Sequence, residues 1–167
     1  ILWQAPVPTT LPANGSALLW EAPVAELLGD ADPTEVVFVA RFERDSGGGG
    51  SESGGQTRTP TPRPALLYFR SPRELAMEAP AIRIQMSPTS KGVAITLESD
   101  LLAKDVYLSR EGVHFPENFF DLLPGRPVTL PLATELSPDE VEEGLRIRTL
   151  AEVPREGVEV DRPPGNG

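Results

Sequence analysis

Residues that usually carry catalysis or hold a metal are scarce in this sequence. Its 167 residues include no Cys and a single His, His114. The lack of Cys excludes disulfide frameworks, thiolate zinc sites and Cys nucleophiles. A His-based triad would have only this one candidate, and a metal site with several His ligands is excluded. We therefore expect no cofactor and no metal, and we expect His114 to lie on the surface.

The carboxylates could in principle do acid–base chemistry or bind Ca²⁺, but the 25 Asp and Glu residues are dispersed along the chain. The densest acidic stretch contains Asp139, Glu140, Glu142 and Glu143. The regular ligand spacing of a calcium-binding loop is absent from it. Ser137 and Pro138 precede it in the order of an N-cap residue and a first helical residue. We therefore predict a solvent-exposed turn or the start of a helix.

Three residues outside that stretch could carry a modification or bind a ligand. Asn14 begins the triplet Asn-Gly-Ser and is a candidate N-glycosylation acceptor, although such triplets also arise by chance. Trp3 and Trp20 could stack on a ligand. Both lie in short apolar runs, however, so packing inside the protein is the favoured role.

Charge and hydropathy exclude two classes of partner. Fifteen Lys and Arg against twenty-five Asp and Glu give a net charge of −10, so the phosphates of nucleic acid would be repelled. No apolar run approaches the roughly 18 residues of a membrane span. The chain begins at Ile1 without a signal peptide, and we expect it to be a processed or truncated piece. The compartment stays open, with a secreted or lysosome-like or vacuole-like location favoured over the cytoplasm.

A low-complexity stretch at 46–64, rich in Gly, Ser and Pro, divides the chain. It cannot pack a core, and it is either an interdomain linker or an enlarged loop between neighbouring strands. Residues 34–43 before it and 65–70 after it are short apolar segments with strand-like alternation. Because the cost of closing a loop grows slowly with its length, we favour a hairpin with an expanded turn.

Further short alternating segments indicate an all-β protein. Upstream strand candidates are 1–5 and 16–21, and downstream candidates are 81–86, 92–98, 105–109, 128–132 and 145–150. Turn-forming residues separate them at intervals of about 8–15 residues, the spacing of antiparallel sandwiches. One of these turns is expected at Ser87–Ser90. The pattern predicts an antiparallel β-sandwich.

The stretch 98–125, ESDLLAKDVYLSREGVHFPENFFDLLPG, resembles the C-terminal immunoglobulin-like domain of β-mannosidases and related exo-glycosidases of glycoside hydrolase family 2. The residues that match the family motif include Asp100, Lys104, Asn118, Phe119, Phe120, Asp121, Pro124 and Gly125. Residues 68–75 resemble the passage that leads into this domain. Glu117 and Arg126 depart from the family pattern without affecting the fold that it implies.

The resemblance implies two immunoglobulin-like sandwiches. Residues 1–78 would be the closing part of a preceding domain, with a disordered loop at 46–64. Residues 79–153 would form the terminal domain, followed by a flexible tail at 154–167. We expect these motif residues to be structural.

A physical account of the motif needs no catalysis. Asn118 and Asp121 are expected to bond nearby backbone groups and to organise a tight segment outside the strands. The four large apolar side chains beside them are expected to fill the end of the sandwich; they are Phe119, Phe120, Leu122 and Leu123. A sugar-binding role for Phe119 or Asn118 is the alternative.

The resemblance also implies that this chain alone is inactive. In that family both catalytic Glu residues lie on a (β/α)₈ barrel, which needs about 250 residues, and no catalytic residue can be carried onto this chain. The expected function is a non-catalytic accessory region of a β-mannosidase-like retaining exo-glycosidase. Its partners would be the barrel and other domains of the parent, with β-mannoside sugars as candidate ligands. A stand-alone carbohydrate-binding or structural sandwich module is the alternative.

Overall fold

A computed structural model describes residues 4–9, 14–42 and 63–152. The chain divides into two compact units, Ile1–Ala76 and Met77–Gly167, which are treated separately below. Three sequence predictions fall outside the described residues: the role of Trp3, almost all of the low-complexity loop at 46–64, and the flexible tail at 154–167.

The first unit contains a short helix and a two-stranded sheet. Helix α1 is Val24–Leu28, strand β1 is Val37–Ala40 and strand β2 is Ala65–Tyr68. The two strands pair antiparallel, from Val37 opposite Tyr68 to Ala40 opposite Ala65. The strands that flank the low-complexity stretch are therefore hydrogen-bonded neighbours, which confirms the predicted hairpin.

Two predictions for the first unit were wrong. Residues 16–21 are exposed and form no strand, and residues 4 and 5 of the other upstream candidate are likewise outside any strand. Helix α1 was not predicted. A short apolar run forms a strand only where the edge of another strand is available for pairing. Within the described part of this unit, β1 and β2 pair with each other and with no further strand.

The second unit consists of two three-stranded antiparallel sheets. The first sheet has the order β3-β4-β7 and the second has the order β6-β5-β8. The strands are β3 (Ile82–Thr89), β4 (Gly92–Ser99), β5 (Ala103–Ser109), β6 (Phe120–Leu122), β7 (Val128–Ala133) and β8 (Arg146–Arg148). Helix α2 is Pro138–Glu142, and a single 3₁₀ turn covers Leu150–Glu152. The predicted all-β, immunoglobulin-like sandwich is confirmed.

The β3–β4 hairpin is tighter than predicted. Strand β3 continues through Pro88 to Thr89, which pairs with Gly92, so the turn contains two residues rather than Ser87–Ser90. Strand β3 lies at a sheet edge, where a proline is tolerated because no partner needs its missing N–H. Gly92 has φ +137°, and a Cβ there would overlap the backbone carbonyl oxygen of Leu132. Only glycine fits this approach of β7 to the turn.

The core lies between the two sheets of the second unit. Alternate residues of β4 and β7 point inward, as the sequence alternation predicted, and β5 contributes Val106 and Leu108 from the facing sheet. The buried core residues are Val93, Ile95, Leu97, Ala103, Val106, Leu108, Phe115, Phe120, Leu122, Leu130, Leu132 and Val141. Val141 belongs to α2, so the helix also contributes to the core.

Helix α2 begins where the acidic stretch was predicted to start a helix. The Ser137 hydroxyl accepts a hydrogen bond from the Glu140 N–H, and the Glu140 carboxylate accepts hydrogen bonds from the Ser137 N–H at 2.8 Å and the Ser137 hydroxyl at 2.7 Å. This reciprocal arrangement is a capping box. The bond from the Ser137 N–H, followed by the one from its hydroxyl, lowers the pKa of Glu140 below its ordinary value.

The tight burial of the core predicts that a cavity created at one of its residues strongly lowers the free energy of unfolding. Leu97 is fully buried, whereas Leu101 is 38% exposed two residues after the end of the same strand. We expect Leu97→Ala to lower the free energy of unfolding by about 2–5 kcal/mol, because the cavity cannot collapse fully. Leu101→Ala should cost less than about 1 kcal/mol. Urea denaturation followed by circular dichroism checks both, and equal effects would contradict the observed burial.

The capping box predicts a change in one carboxyl pKa. Ser137→Ala removes the hydroxyl bond, so the pKa of Glu140 should rise towards its ordinary value of about 4.3. Since the carboxyl pKa is lowered in the folded state, the stabilisation is present above the ordinary pKa. It is lost as the pH falls through the lowered value. A ¹³C NMR titration of the carboxyl carbons measures the shift, with the neighbouring Glu142 as internal control.

Candidate functional site

The family motif folds around an irregular pairing between β5 and β6. Ala103 pairs with Leu122 and Val106 pairs with Phe120, with a register shift between the two pairs. Asp105 lies in the bulge and has φ +53°, a conformation that Asp tolerates better than most residues. The prediction that the 118–121 segment lies outside the strands was wrong, because residues 120–122 form β6.

A buried lysine occupies the centre of the bulge. The Lys104 side chain is only 10% exposed, and its ammonium lies 3.1 Å from the Asp105 carboxylate and 3.6 Å from that of Asp121. The Asp121 carboxylate also accepts the backbone N–H of Asp105 at 2.8 Å. Two carboxylates around one buried cation offset the cost of taking it out of water. The cluster therefore holds the bulge in place.

Asn118 fixes the segment before β6. Its side-chain oxygen accepts the N–H of Leu108 at 2.7 Å, and its side-chain nitrogen donates to the Leu108 carbonyl at 3.1 Å. One amide thus satisfies both backbone groups of a residue that is buried in the core. Asn118 and Asp121 thus bond backbone groups, but these groups are not close to them in the sequence. They belong to β5, ten residues before Asn118 and sixteen residues before Asp121.

Phe119 points away from the core, contrary to the prediction. Its neighbours in the motif, Phe120, Leu122 and Leu123, are buried, whereas Phe119 is 68% exposed. It has φ +60°, and its N–H bonds the Val106 carbonyl at 2.8 Å. Phe119 thus precedes β6 with a left-handed backbone, and its ring lies on the exposed side rather than in the core.

The remaining motif residues shape the two ends of this region. The Asp100 carboxylate accepts the N–H of Ala81 at 2.8 Å, which holds the residue just before β3. Pro124 and Gly125 occupy the centre of a turn closed by the Arg126 N–H and the Leu123 carbonyl at 3.1 Å. Gly125 has φ +65°, and this arrangement of proline then left-handed glycine is typical of a type II turn.

A surface that the sequence interpretation did not single out lies on the outer side of this sheet. Tyr107 contacts Phe119, with ring centroids 5.2 Å apart. Tyr107 is directly opposite Arg148, and Ser109 is opposite Arg146, so both arginines share its side of the sheet. We name Tyr107, Phe119, Arg146 and Arg148 the aromatic–arginine face. The alternation in 145–150 places Arg146 and Arg148 on the side of their strand opposite Ile147.

The two carboxylates beside Lys104 are engaged within the fold. Retaining glycosidases place an acid and a nucleophile about 5–5.5 Å apart across the sugar. Asp105 and Asp121 approach each other, but both bind Lys104, and Asp121 also accepts a backbone N–H. No group of His, Asp or Glu suited to a metal occurs among the residues described.

The other candidate residues lie apart from the motif. His114 is exposed, as predicted, and Asn14 is exposed with φ +59°. Trp20 stacks on Phe38 at a centroid distance of 5.6 Å but is 37% exposed, so it packs at the surface rather than inside the protein. In the first unit Trp20 lines an open depression of about 600 Å³ together with α1. No helix within the described ranges is long and apolar enough to cross a membrane.

Comparison with known proteins identifies both parts of the chain. Residues 77–153 match the family model of the Ig-fold domain named for mannosidases, and residues 1–54 match that of the mannosidase Ig/CBM-like domain. A solved β-D-mannosidase from Dictyoglomus thermophilum is 21% identical, with a TM-score of 0.48. The match covers 52% of this chain and 11% of that one. No curated protein matches the chain.

Asn118 offers a test of how β6 is held. Asn118→Ala leaves the buried N–H and carbonyl of Leu108 without their side-chain partner, so we expect a loss of about 1–3 kcal/mol in the free energy of unfolding. Gln85→Ala removes another amide, at an exposed position of β3, and should cost less than about 0.5 kcal/mol. Urea denaturation measures both variants. A loss for Asn118→Ala as small as that for Gln85→Ala would show that β6 does not depend on the amide.

Proposed function

Since this chain is an immunoglobulin-like region of the mannosidase type, we propose that it is the non-catalytic C-terminal accessory region of a β-mannosidase-like retaining glycosidase. The observation that carries the proposal is the succession of two mannosidase domain models, at 1–54 and 77–153, in one polypeptide. In this proposal the parent enzyme acts on terminal β-linked mannose. The region supports the catalytic barrel, which supplies the acid and the nucleophile.

The chemistry of the described residues supports a structural role. The motif carboxylates accept hydrogen bonds from backbone groups or bind a buried ammonium, so at least one oxygen of each is engaged within the fold. The motif amide is likewise bonded to β5. These side chains hold a bulged strand pair together. This is the pattern expected of an accessory domain.

We also propose the division into domains that the family resemblance implied. Residues 1–78 would complete a preceding sandwich, residues 79–153 would form the terminal domain, and 46–64 and 154–167 would be a loop and a tail. Burial supports this division. Leu75 is the only buried hydrophobic residue described before position 77, whereas the second unit has a core of twelve buried residues. The first unit would therefore need further strands to bury its apolar side chains.

An assay with p-nitrophenyl β-D-mannopyranoside tests the proposed function. The 167-residue chain should show no hydrolysis above background. A protein that carries the same chain behind its natural upstream sequence should release p-nitrophenol, because the barrel supplies both carboxylates. Hydrolysis by the chain alone would refute the proposal. An upstream sequence without a barrel, in the gene that encodes this chain, would refute it equally.

Separate fragments test the proposed domains. Residues 77–153 contain both sheets and the whole described core, so we expect this fragment to unfold cooperatively in urea. Residues 1–76 should lack a cooperative transition, because they bury too little apolar surface. Circular dichroism and the dispersion of amide signals in NMR spectra provide the measurements. A cooperative transition in residues 1–76 would show that this unit needs no further strands.

A further inference from the structure

The aromatic–arginine face exposes apolar surface that the fold does not use. Phe119 is 68% exposed, the largest exposure among the big hydrophobic side chains described in the second unit, and Tyr107 is 37% exposed. The two rings are in contact, at 5.2 Å between centroids with an interplanar angle of 34°. Single exposed apolar residues are ordinary, but contiguous ones indicate an interaction site.

The position of Phe119 is fixed by the backbone. Its φ of +60° is uncommon for a bulky residue, and strain of this kind persists where neighbouring contacts over-determine it. Here the Phe119 N–H bonds the Val106 carbonyl, and the preceding residue, Asn118, is bonded to Leu108. A strained backbone thus presents an aromatic ring to the outside in one orientation. Such preorganisation lowers the entropy lost on binding.

The arginines give this face a charge opposite to that of the chain. The chain has a net charge of −10, yet Arg146 and Arg148 are exposed beside Tyr107 on the same side of the sheet. Neither guanidinium forms an ion pair with a carboxylate within the described ranges. Guanidinium groups bind carboxylates in pairs of parallel hydrogen bonds, so an acidic surface would complement this face.

The composition of the face favours a protein partner. Tyr, Phe and Arg are the residues enriched at the centres of protein interfaces. The face therefore has the composition of a protein interface.

We propose that the aromatic–arginine face is the surface through which this region docks onto the rest of its parent glycosidase. The partner surface would have an apolar centre that receives Phe119 and carboxylates that bind Arg146 and Arg148. This inference rests on the proposed function, since it requires further domains in the same polypeptide. It adds the surface and the chemistry of the contact.

Oxidative footprinting of side chains tests the contact directly. We compare the 167-residue chain with the full-length parent protein, using hydroxyl radicals and mass spectrometry. Phe119 and Tyr107 should be modified several-fold less in the parent, because docking covers them. Leu101, which is 38% exposed in the second unit and lies outside the face, serves as a reference for dose. Equal modification of Phe119 and Tyr107 in the two proteins would overturn the inference.

Paired variants separate docking from folding. Phe119→Gly removes the ring and also relieves the positive φ, so the melting temperature of the isolated chain should be unchanged or raised. In the parent the same substitution should lower it by several degrees. The double variant Arg146→Glu/Arg148→Glu should likewise lower the melting temperature of the parent and not that of the isolated chain. The decrease in the parent should be smaller at high salt. Lys91→Glu, at the β3–β4 turn, is the control for a reversed charge and should have no such effect in the parent.

The remaining outcomes are distinguishable. Equal effects of the variants on the parent and the isolated chain would assign the face a role in folding alone and overturn the inference. The alternative ligand for an exposed aromatic pair is a sugar. Calorimetric titration of the 167-residue chain with β-1,4-mannotriose tests that alternative. Binding that Phe119→Gly abolishes would replace the protein partner with a sugar. A gene without an upstream barrel would instead refute the proposed function.

Discussion

The second unit depends on a strand pairing that the backbone cannot complete by itself. Strand β6 has only three residues, and a bulge in β5 interrupts its register. The side chains of Asn118 and Asp121 supply the hydrogen bonds that a longer ladder would provide. Because buried backbone groups must be satisfied, these two side chains allow Phe120 and Leu122 to enter the core and thereby connect the two sheets.

The same constraint explains why the motif has a structural and an exposed side. Alternation along β6 sends Phe120 and Leu122 inward, whereas Phe119, which precedes the strand with φ +60°, is exposed. The inward side chains complete the sandwich, together with the buried Lys104 that holds the bulge. The outward ring meets Tyr107 and lies on the side of the sheet that carries the arginines of β8. A motif that stabilises the domain thus also presents a surface for a partner.

Much of the fold could be predicted from periodicity. The segments that became β3, β4, β5, β7 and β8 alternate with a period of two, which marks the buried side of each strand. Helix α2 could be predicted from Ser137 and Pro138 because capping is a local interaction. The 16–21 segment was wrongly predicted as a strand, since an apolar run does not specify whether a partner edge is available. Strand β6 was missed because three residues are too few to show a period.

The sequence by itself determined the sandwich class, most of its strands, the capped helix and the resemblance to mannosidase immunoglobulin-like domains. These features follow from local propensity, alternation and a contiguous motif. Only the tertiary structure decided that Asn118 and Asp121 bond β5, that Phe119 faces outward, and that two arginines share its side. Those outcomes depend on the register between strands that are distant in sequence. Register is set by packing both sheets around one core, which no single segment contains.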